Sequence, residues 1–581
     1  MAFFPLTVQH LLQQRILAPW RRRQLPKLAQ QTCELYLRDL DSHTHCREIL
    51  QTQVHLDSHT LQRFLQTDIG ESLLQRLAQL IDLPADRETL IQKIMRADQL
   101  SILSLLYQLA GNLRTDKLLQ TAKQIDLLLK TTDELLSLLM SLMQQEAIHQ
   151  RVPNVDPRLP GPCGIRQKVI SLQRPSTQRF QVLLYEPLVD IASAIPIVVI
   201  SHGLAASPQS MDHYARHLAS HGYLVAVPQH PGSDNHQVQN LLVGNVDEIF
   251  SLQEFVDRPN DVTQLLDELE RLNARDYNGQ LNVTKVGVLG ESFGGYTALA
   301  LAGATIDFDA LADRCERLSD SLNVSLLLQC RALDLPQKVF PLQDSRVKAI
   351  FTIDPIGSGL FGPDGLEAVT VPVVIATGSN DKTAPMALEP LQLFPLLASQ
   401  DRFLAVIRGK AHIHDVRTLL SSLKLAEVIS WPSLTLSPPI IDSYLWGLSV
   451  LFFDQYLQPA APISGCLSAY AQSISQAPYD LHLISEQSVQ ALRPVLDSFQ
   501  QRLSQLKWHT ITVQHQEGMF IATNGLSLYY QSWLPTSTVK ATIVLVHGLG
   551  GHSGLFQNVV KALIPEGYAL YSYDLRGHGR S

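Results

Sequence analysis

One stretch constrains the fold of this chain more than any other: residues 283–300, which read VTKVGVLGESFGGYTALA. An apolar run ends at Leu289, a helix-forming run begins near Tyr296, and Gly290 and Gly294 lie in the turn between them. Glycine is required where a Cβ would clash, and a strand–turn–helix unit of the form G-x-S-x-G holds its serine above a sheet. The stretch therefore predicts a strained turn with Ser292 as a nucleophile; the alternative is a glycine-rich turn with an incidental serine.

Six short β-branched runs surround this turn and alternate with helical stretches. They are residues 195–200, 223–227, 283–289, 347–353, 371–376 and 403–407. Nearly continuous apolar runs are typical of parallel strands that are covered on both faces. The pattern predicts a doubly wound, mostly parallel α/β sheet, in which binding sites lie at the carboxyl ends of the strands.

Polar residues follow these strands where a catalytic site would require them. Asp381 follows the fifth run and His412 follows the sixth, which gives the chain order Ser292, Asp381, His412 expected of this type of sheet. The histidine would accept the serine proton, and the aspartate would orient the imidazole. A glycine turn after Ile200 predicts an oxyanion hole formed by the backbone N–H groups of Leu204 and Phe293.

Two assignments in this site have alternatives. Asp354 also ends a strand and is an alternative acid, although Asp381 lies in the more usual Gly-x-x-Asp-x-x-x-Pro setting. His414 lies two residues beyond His412, and the spacing after Gly409 favours His412 as the base.

Changes in sequence texture predict the domain organisation. Residues 1–150 read as an all-α accessory domain, with a capping box at Asp68 and a further helix near Asp86. A proline-rich linker over 151–165 precedes an α/β-hydrolase domain over 166–500, with a helical insertion at 307–342. The insertion contains Cys315 and Cys330, which are either bonded or two free thiols.

Composition excludes several classes of function. The net charge of −8 argues against nucleic acid and anionic membranes as partners. The six cysteines form no C-x-x-C pair, and no metal or cofactor is expected. No apolar run reaches 18 residues, which predicts no transmembrane segment. No signal peptide is visible, so the expected location is cytoplasmic, or exported if the N-terminus is incomplete.

The motifs resemble those of a known family. Residues 165 to about 460 are similar to the predicted dienelactone hydrolases related to platelet-activating-factor acetylhydrolase and to bacterial cutinase-like esterases. The similar motifs are Ile200-Ser-His-Gly-Leu-Ala, Asp257-Arg258-Pro259, Gly290-Glu-Ser-Phe-Gly-Gly, Asp354-Pro-Ile-Gly and Gly378-Ser-Asn-Asp381. Residues from about 27 to 145 resemble the helical domain of unknown function that precedes this hydrolase. The resemblance implies an esterase. It also keeps Asp354 open as the acid, because the acid of the acetylhydrolase relative lies at the position that Asp354 occupies in this sequence. It also implies that relatives with the helical domain are often exported and contain a cysteine pair like Cys315 and Cys330.

The last residues resemble the opening of a second hydrolase. Over 516–581 an apolar run leads to His547-Gly-Leu-Gly-Gly551, and a second run leads to Asp574-Leu-Arg-Gly-His-Gly. These motifs are similar to those of monoacylglycerol lipases and lysophospholipases. Because no second G-x-S-x-G follows, the sequence predicts a truncated second α/β-hydrolase domain.

The predicted function is that of a serine carboxylic-ester hydrolase, similar to esterases and lipases, which works through an acyl-enzyme on a small-molecule or lipid ester. Two alternatives remain at this stage. One is a thioesterase or acyltransferase that uses the same triad, and the other is a non-catalytic interaction protein that keeps the fold.

Overall fold

A nine-stranded sheet forms the centre of the larger of two compact units. Its strands are β1 (Gly164–Gln173), β2 (Arg179–Leu188), β3 (Ile195–Ser201), β4 (Leu224–Pro228), β5 (Leu281–Glu291), β6 (Val347–Ile353), β7 (Val373–Gly378), β8 (Arg402–Ile407) and β9 (Leu481–Ser485). The structure is a computed structural model. It describes residues 27, 29–31, 33–34, 42–51, 58–79, 115–147, 152, 155–188, 194–316, 318, 321–413, 421, 423, 438–458, 466–506, 514–523, 525–535, 539–549, 551–556, 559–560, 563–564 and 567–581.

The strand order is β1-β2-β4-β3-β5-β6-β7-β8-β9, and the six strands from β4 to β8 in this order are parallel. They correspond to the six apolar runs of the sequence, and every residue of β3 is buried. β1, β2 and β9 add antiparallel pairs at the two edges. The predicted mostly parallel α/β-hydrolase sheet is confirmed.

Helices cover both faces of this sheet. The α-helices are α1 (Ser42–Gln51), α2 (Ser58–Gln66), α3 (Asp68–Gln79), α4 (Thr115–Ala147), α5 (Asp212–Ser220), α6 (Asn235–Val243), α7 (Glu254–Asp276), α8 (Phe293–Leu301), α9 (Phe308–Cys315), α10 (Leu326–Gln329), α11 (Pro390–Leu393), α12 (Pro439–Leu457), α13 (Leu467–Ile474) and α14 (Val489–Gln505). Gly287 faces Phe453 of α12, whereas Gly290, three residues further along β5, faces Gly294 of α8. Residues an odd number apart on a strand point to opposite faces, so α8 and α12 lie on opposite sides.

The N-terminal part is helical wherever it is described. α3 begins at Asp68, but its cap is Thr67, whose Oγ1 accepts the N–H of Gly70 at 3.0 Å, and not Asp68 as the sequence predicts. α4 buries Leu135, Leu139 and Met143. The helix predicted near Asp86 and the alternative base His414 lie outside the described residues. Within the described part of the chain, no helix is long and apolar enough to cross a lipid bilayer.

A four-stranded sheet forms the smaller unit, which includes residues 498–581. Its strands are β10 (Gln514–Ile521), β11 (Ser527–Leu534), β12 (Ala541–Val546) and β13 (Tyr568–Tyr573), in the order β10-β11-β13-β12. This order repeats the order β1-β2-β4-β3 of the large sheet, with the same parallel and antiparallel pairings. Trp533, Val560, Ile564 and Leu570 form its buried apolar core.

Two disulfides connect the cysteines that the sequence left unassigned. Cys315 is bonded to Cys330 within the insertion, and Cys33 is bonded to Cys46 in the N-terminal part. Cys163 and Cys466 are free thiols.

We expect the Cys315→Ser/Cys330→Ser variant to be less stable by about 3 kcal/mol, because a bond across 15 residues restricts the unfolded chain. Thermal unfolding followed by circular dichroism measures the effect. Cys163→Ser, which removes a free, half-buried thiol, is the control. Equal melting temperatures for wild type and the double variant would contradict the prediction.

Candidate active site

The predicted turn between β5 and α8 is a strained one. Ser292 has φ 54° and ψ −113°, a conformation that non-glycine residues rarely adopt, and its N–H donates to the carbonyl of Ile353 at 2.9 Å. A Cβ on Gly290 would overlap the carbonyl of Gly294, and a Cβ on Gly294 would overlap the carbonyl of Ser201. The two glycines therefore allow the turn to close against the end of β3.

Three side chains from three strand ends form a hydrogen-bonded chain. His412 Nε2 lies 3.0 Å from Ser292 Oγ, and His412 Nδ1 lies 2.7 Å from Asp381 Oδ2. Because the carboxylate can only accept, Nδ1 donates, and in the neutral ring Nε2 is free to accept the serine proton. The structure thus brings Ser292, Asp381 and His412 together.

The environment polarises this chain of residues. Asp381 Oδ1 accepts the N–H groups of Thr383 at 2.8 Å and Ala384 at 2.7 Å. Burial disfavours the charged acid, but the charge of His412, its hydrogen bond and that of the Ala384 N–H keep the pKa of Asp381 below its ordinary value. Burial alone would lower the pKa of His412. The charge of Asp381 and its hydrogen bond outweigh burial and raise this pKa to about 9. The site therefore favours an imidazolium next to a carboxylate.

Asp354, the alternative acid, lies beside the same histidine but has another partner. It occupies a positive-φ position (44°) after β6, and its Oδ1 accepts the N–H of Gly378 at 3.2 Å. Its Oδ2 forms an ion pair with the buried ammonium of Lys410. Burial raises the pKa of Asp354 even though Lys410 opposes the shift.

These side chains also resemble a metal site in composition. Ligand atoms of Asp354, Asp381 and His412 lie within 4.8 Å of one another, the one such grouping among the described residues. Since the ammonium of Lys410 already supplies a positive charge to Asp354, an ion would have to displace it.

The predicted oxyanion loop approaches the serine closely. A Cβ on Gly203 would lie 3.4 Å from Ser292 Cβ, so the loop and the turn are in van der Waals contact. Leu204 follows in this loop, and Phe293 opens helix α8. N–H groups in the first turn of a helix have no acceptor within the helix, which leaves that of Phe293 available to a ligand.

Three family descriptions match separate parts of the chain. Residues 28–116 match "Alpha/beta hydrolase of unknown function", residues 182–240 match "Platelet-activating factor acetylhydrolase, isoform II", and residues 537–581 match "Serine aminopeptidase, S33". Together with the sheet order, these matches decide the class. The chain is an α/β-hydrolase composite.

Several curated proteins are similar to short parts of this composite. The monoacylglycerol lipase of Mycolicibacterium smegmatis is 31% identical over 71 residues, which are 12% of this chain and 25% of that protein. Human monoglyceride lipase is 34% identical over 61 residues, which are 10% of this chain and 20% of that protein. The caffeoylshikimate esterase of Arabidopsis thaliana is 38% identical over 71 residues, which are 12% of this chain and 21% of that protein. The matched segments thus span about a quarter or a fifth of these relatives. The similarity supports a lipase- or esterase-like α/β hydrolase.

A buried arginine of the composite contacts both parts of the predicted oxyanion hole. Arg258 donates to the carbonyl of His202 at 2.7 Å and to that of Gly203 at 3.2 Å, and its guanidinium lies 4.4 Å from the centre of the Phe293 ring. Its Nε donates to Ser233 Oγ at 2.8 Å. Arg258 therefore fixes the loop through its carbonyls, which leaves the loop N–H groups for other acceptors.

Buried acids balance this arginine. Glu254 lies 3.7 Å from Arg258 and 2.8 Å from Arg174, which also bonds Asp261 at 2.5 Å. His230 donates from Nδ1 to Asp261, and burial holds its pKa well below the ordinary value, so the ring is neutral. The loop thus rests on a buried network of opposite charges.

Sequence reasoning missed two of these residues. Arg258 appeared only within the Asp257-Arg258-Pro259 motif, without a role, and Lys410 was not singled out. The contacts that matter to the site join Arg258 to carbonyls 56 and 55 residues away, and Lys410 to Asp354, 56 residues away. Such contacts leave no local pattern, so neither residue could be assigned from spacing.

We expect Arg258→Met to lower the free energy of unfolding by about 3–5 kcal/mol, since it removes one of the two buried cations that balance the acids. It also leaves the buried carbonyls of His202 and Gly203 without this donor. Urea unfolding followed by circular dichroism tests this. Arg275→Met on the same helix removes an exposed arginine that bonds Asp276, and we expect little change there. A similar loss for both variants would contradict the prediction.

Proposed function

We propose that this composite is a serine carboxylic-ester hydrolase, with Ser292 as nucleophile, His412 as base and Asp381 as the acid that orients it. The observation that supports the proposal is the continuous hydrogen-bonded chain from Asp381 through His412 to Ser292. These hydrogen bonds end at Ser292, which lies on the strained turn. A serine on a turn of this kind presents its hydroxyl to the carbonyl of an incoming substrate.

The reaction follows from this geometry. Ser292 Oγ attacks the ester carbonyl carbon while its proton passes to His412 Nε2, and the N–H groups of Leu204 and Phe293 hold the oxyanion. Collapse of the intermediate breaks the bond to the alcohol oxygen, which takes the proton from His412 and leaves an acyl-Ser292. Water, deprotonated by His412, then attacks the acyl group, and the acid leaves as Ser292 regains its proton.

The substrate class is proposed from the matched families. The acetylhydrolase and monoacylglycerol lipase named among the similar proteins both point to carboxylic esters of lipids. We therefore propose a lipid or small-molecule ester as substrate. A thioesterase or an acyltransferase would use the same triad. Analysis of the products formed from thioesters, and from esters in the presence of a competing alcohol, distinguishes these activities from ester hydrolysis.

We expect Ser292→Ala to reduce hydrolysis of p-nitrophenyl butyrate by roughly 10⁵-fold or more, because the nucleophile is lost. Initial rates at saturating ester measure this. Ser171→Ala, at an exposed position on β1, is the matched control and should keep the wild-type rate. Equal rates for wild type and Ser292→Ala would refute the ester hydrolase and favour a non-catalytic role.

The pH dependence offers a separate test of His412. The neutral imidazole is the base, and the pKa of His412 is raised to about 9, so kcat/KM should rise with pH until it levels off above about 9. Asp381→Asn removes the charge that raises this pKa. We expect that variant to be about 10⁴-fold slower, with the rise moved to lower pH. An unmoved midpoint would show that Asp381 does not act on His412.

A further inference from the structure

Two buried carboxylates compete for one imidazole in this site, and a single lysine distinguishes between them. We propose that Lys410 is a positioning residue: its ammonium engages Asp354 and thereby leaves Asp381 as the partner of His412. The inference rests on the proposed function, because it concerns which acid supports the base. It adds a role for a residue whose ammonium bonds Asp354 and the carbonyl of Ala411 rather than the nucleophile or the base.

The first step is the closeness of the two acids. Ligand atoms of Asp354, Asp381 and His412 lie within 4.8 Å of one another, so either carboxylate is near enough to accept from the ring after a small movement. Both acids are buried, and both follow neighbouring parallel strands, β6 and β7. Distance alone therefore does not select the partner of His412.

The second step is the difference in their partners. Asp381 has both oxygens occupied by hydrogen-bond donors, with Oδ2 on His412 and Oδ1 on two backbone N–H groups. Asp354 has one backbone N–H, from Gly378, and its remaining oxygen is taken by Lys410. Without the ammonium, that oxygen would be a buried, unsatisfied acceptor beside a cationic ring.

The third step is how firmly the lysine is held. Lys410 is only 5% exposed and lies two residues before His412. Its own carbonyl accepts the N–H of Asn380 at 3.0 Å, and its Nζ also donates to the carbonyl of Ala411 at 3.1 Å. The residue therefore connects the loops after β6, β7 and β8, which are the loops of Asp354, Asp381 and His412.

The experiment compares ester hydrolysis by variants in which the competition is created or removed. In Lys410→Met the freed Asp354 competes for the ring, and we expect kcat to fall by roughly 10- to 100-fold with KM little changed. Asp354→Asn on that background removes the competitor and should restore most of kcat. A lysine that merely stabilised the loops would not be rescued by a second substitution.

The reverse arrangement tests the same idea. Asp381→Asn alone should be about 10⁴-fold slower than wild type. The Asp381→Asn/Lys410→Met variant lets Asp354 approach His412, and it should exceed Asp381→Asn by about 10-fold or more. Lys348→Met, which removes an exposed lysine on β6, is the control for loss of charge and should match wild type.

A second variant tests the proposal if Lys410→Met does not fold. Lys410→Gln/Asp354→Asn keeps a neutral hydrogen-bonding pair at both positions, and it should retain kcat within about threefold of wild type. A drop of about 10⁴-fold in this variant would mean that Asp354 is the working acid, and it would overturn the proposal. The proposal is equally overturned if both rescues fail in folded proteins. Failure of the hydrolase assignment itself is recognised separately, because wild type would then be no faster than Ser292→Ala.

Discussion

The contact between the turn of Ser292 and the end of β3 determines the rest of the site. It is a contact between backbones, since a side chain on Gly294 would overlap the carbonyl of Ser201. The register of β5 against β3, which pairs Gly290 with Ser201, brings the two strand ends level. Because the glycines allow this approach, the loop after β3 lies against Ser292. In the proposed reaction, this loop would be in place to hold the oxyanion without reorganisation.

Buried charges hold the loops on both sides of that contact. Arg258, with its acids, lies under the loop after β3, and the pair of Lys410 and Asp354 lies between the loops after β6 and β8. Buried ion pairs contribute little net stability compared with apolar residues of the same volume, because desolvation offsets the attraction. Their effect here is on geometry. Each buried cation holds a loop in the conformation in which the buried polar groups have partners, so the strand ends that carry the site residues lie at defined distances.

The parts of this molecule that sequence predicted are those with a local signal. The six central strands are apolar runs, and Ser292, Asp381 and His412 each follow such a run within a few residues. Arg258 bonds carbonyls after β3, and Lys410 pairs with Asp354 after β6, so both contacts join residues that are far apart in the chain. The bond between Cys33 and Cys46 likewise depends on tertiary packing. The edge strands β1, β2 and β9 pair antiparallel, and their sequences gave no sign of it. Tertiary packing and strand pairing, rather than the local residue pattern, decide such contacts.

The histidine–glycine turn has the same hydrogen bonds in both sheets. In the large sheet, His202 donates to the carbonyl of Gly203 at 2.8 Å and accepts the N–H of His230 at 3.3 Å. In the small sheet, His547 donates to the carbonyl of Gly548 at 2.9 Å and accepts the N–H of Leu575 at 2.9 Å. The same ring contacts thus recur after β3 and after β12. In both sheets, the histidine therefore ties its turn to the end of the neighbouring strand.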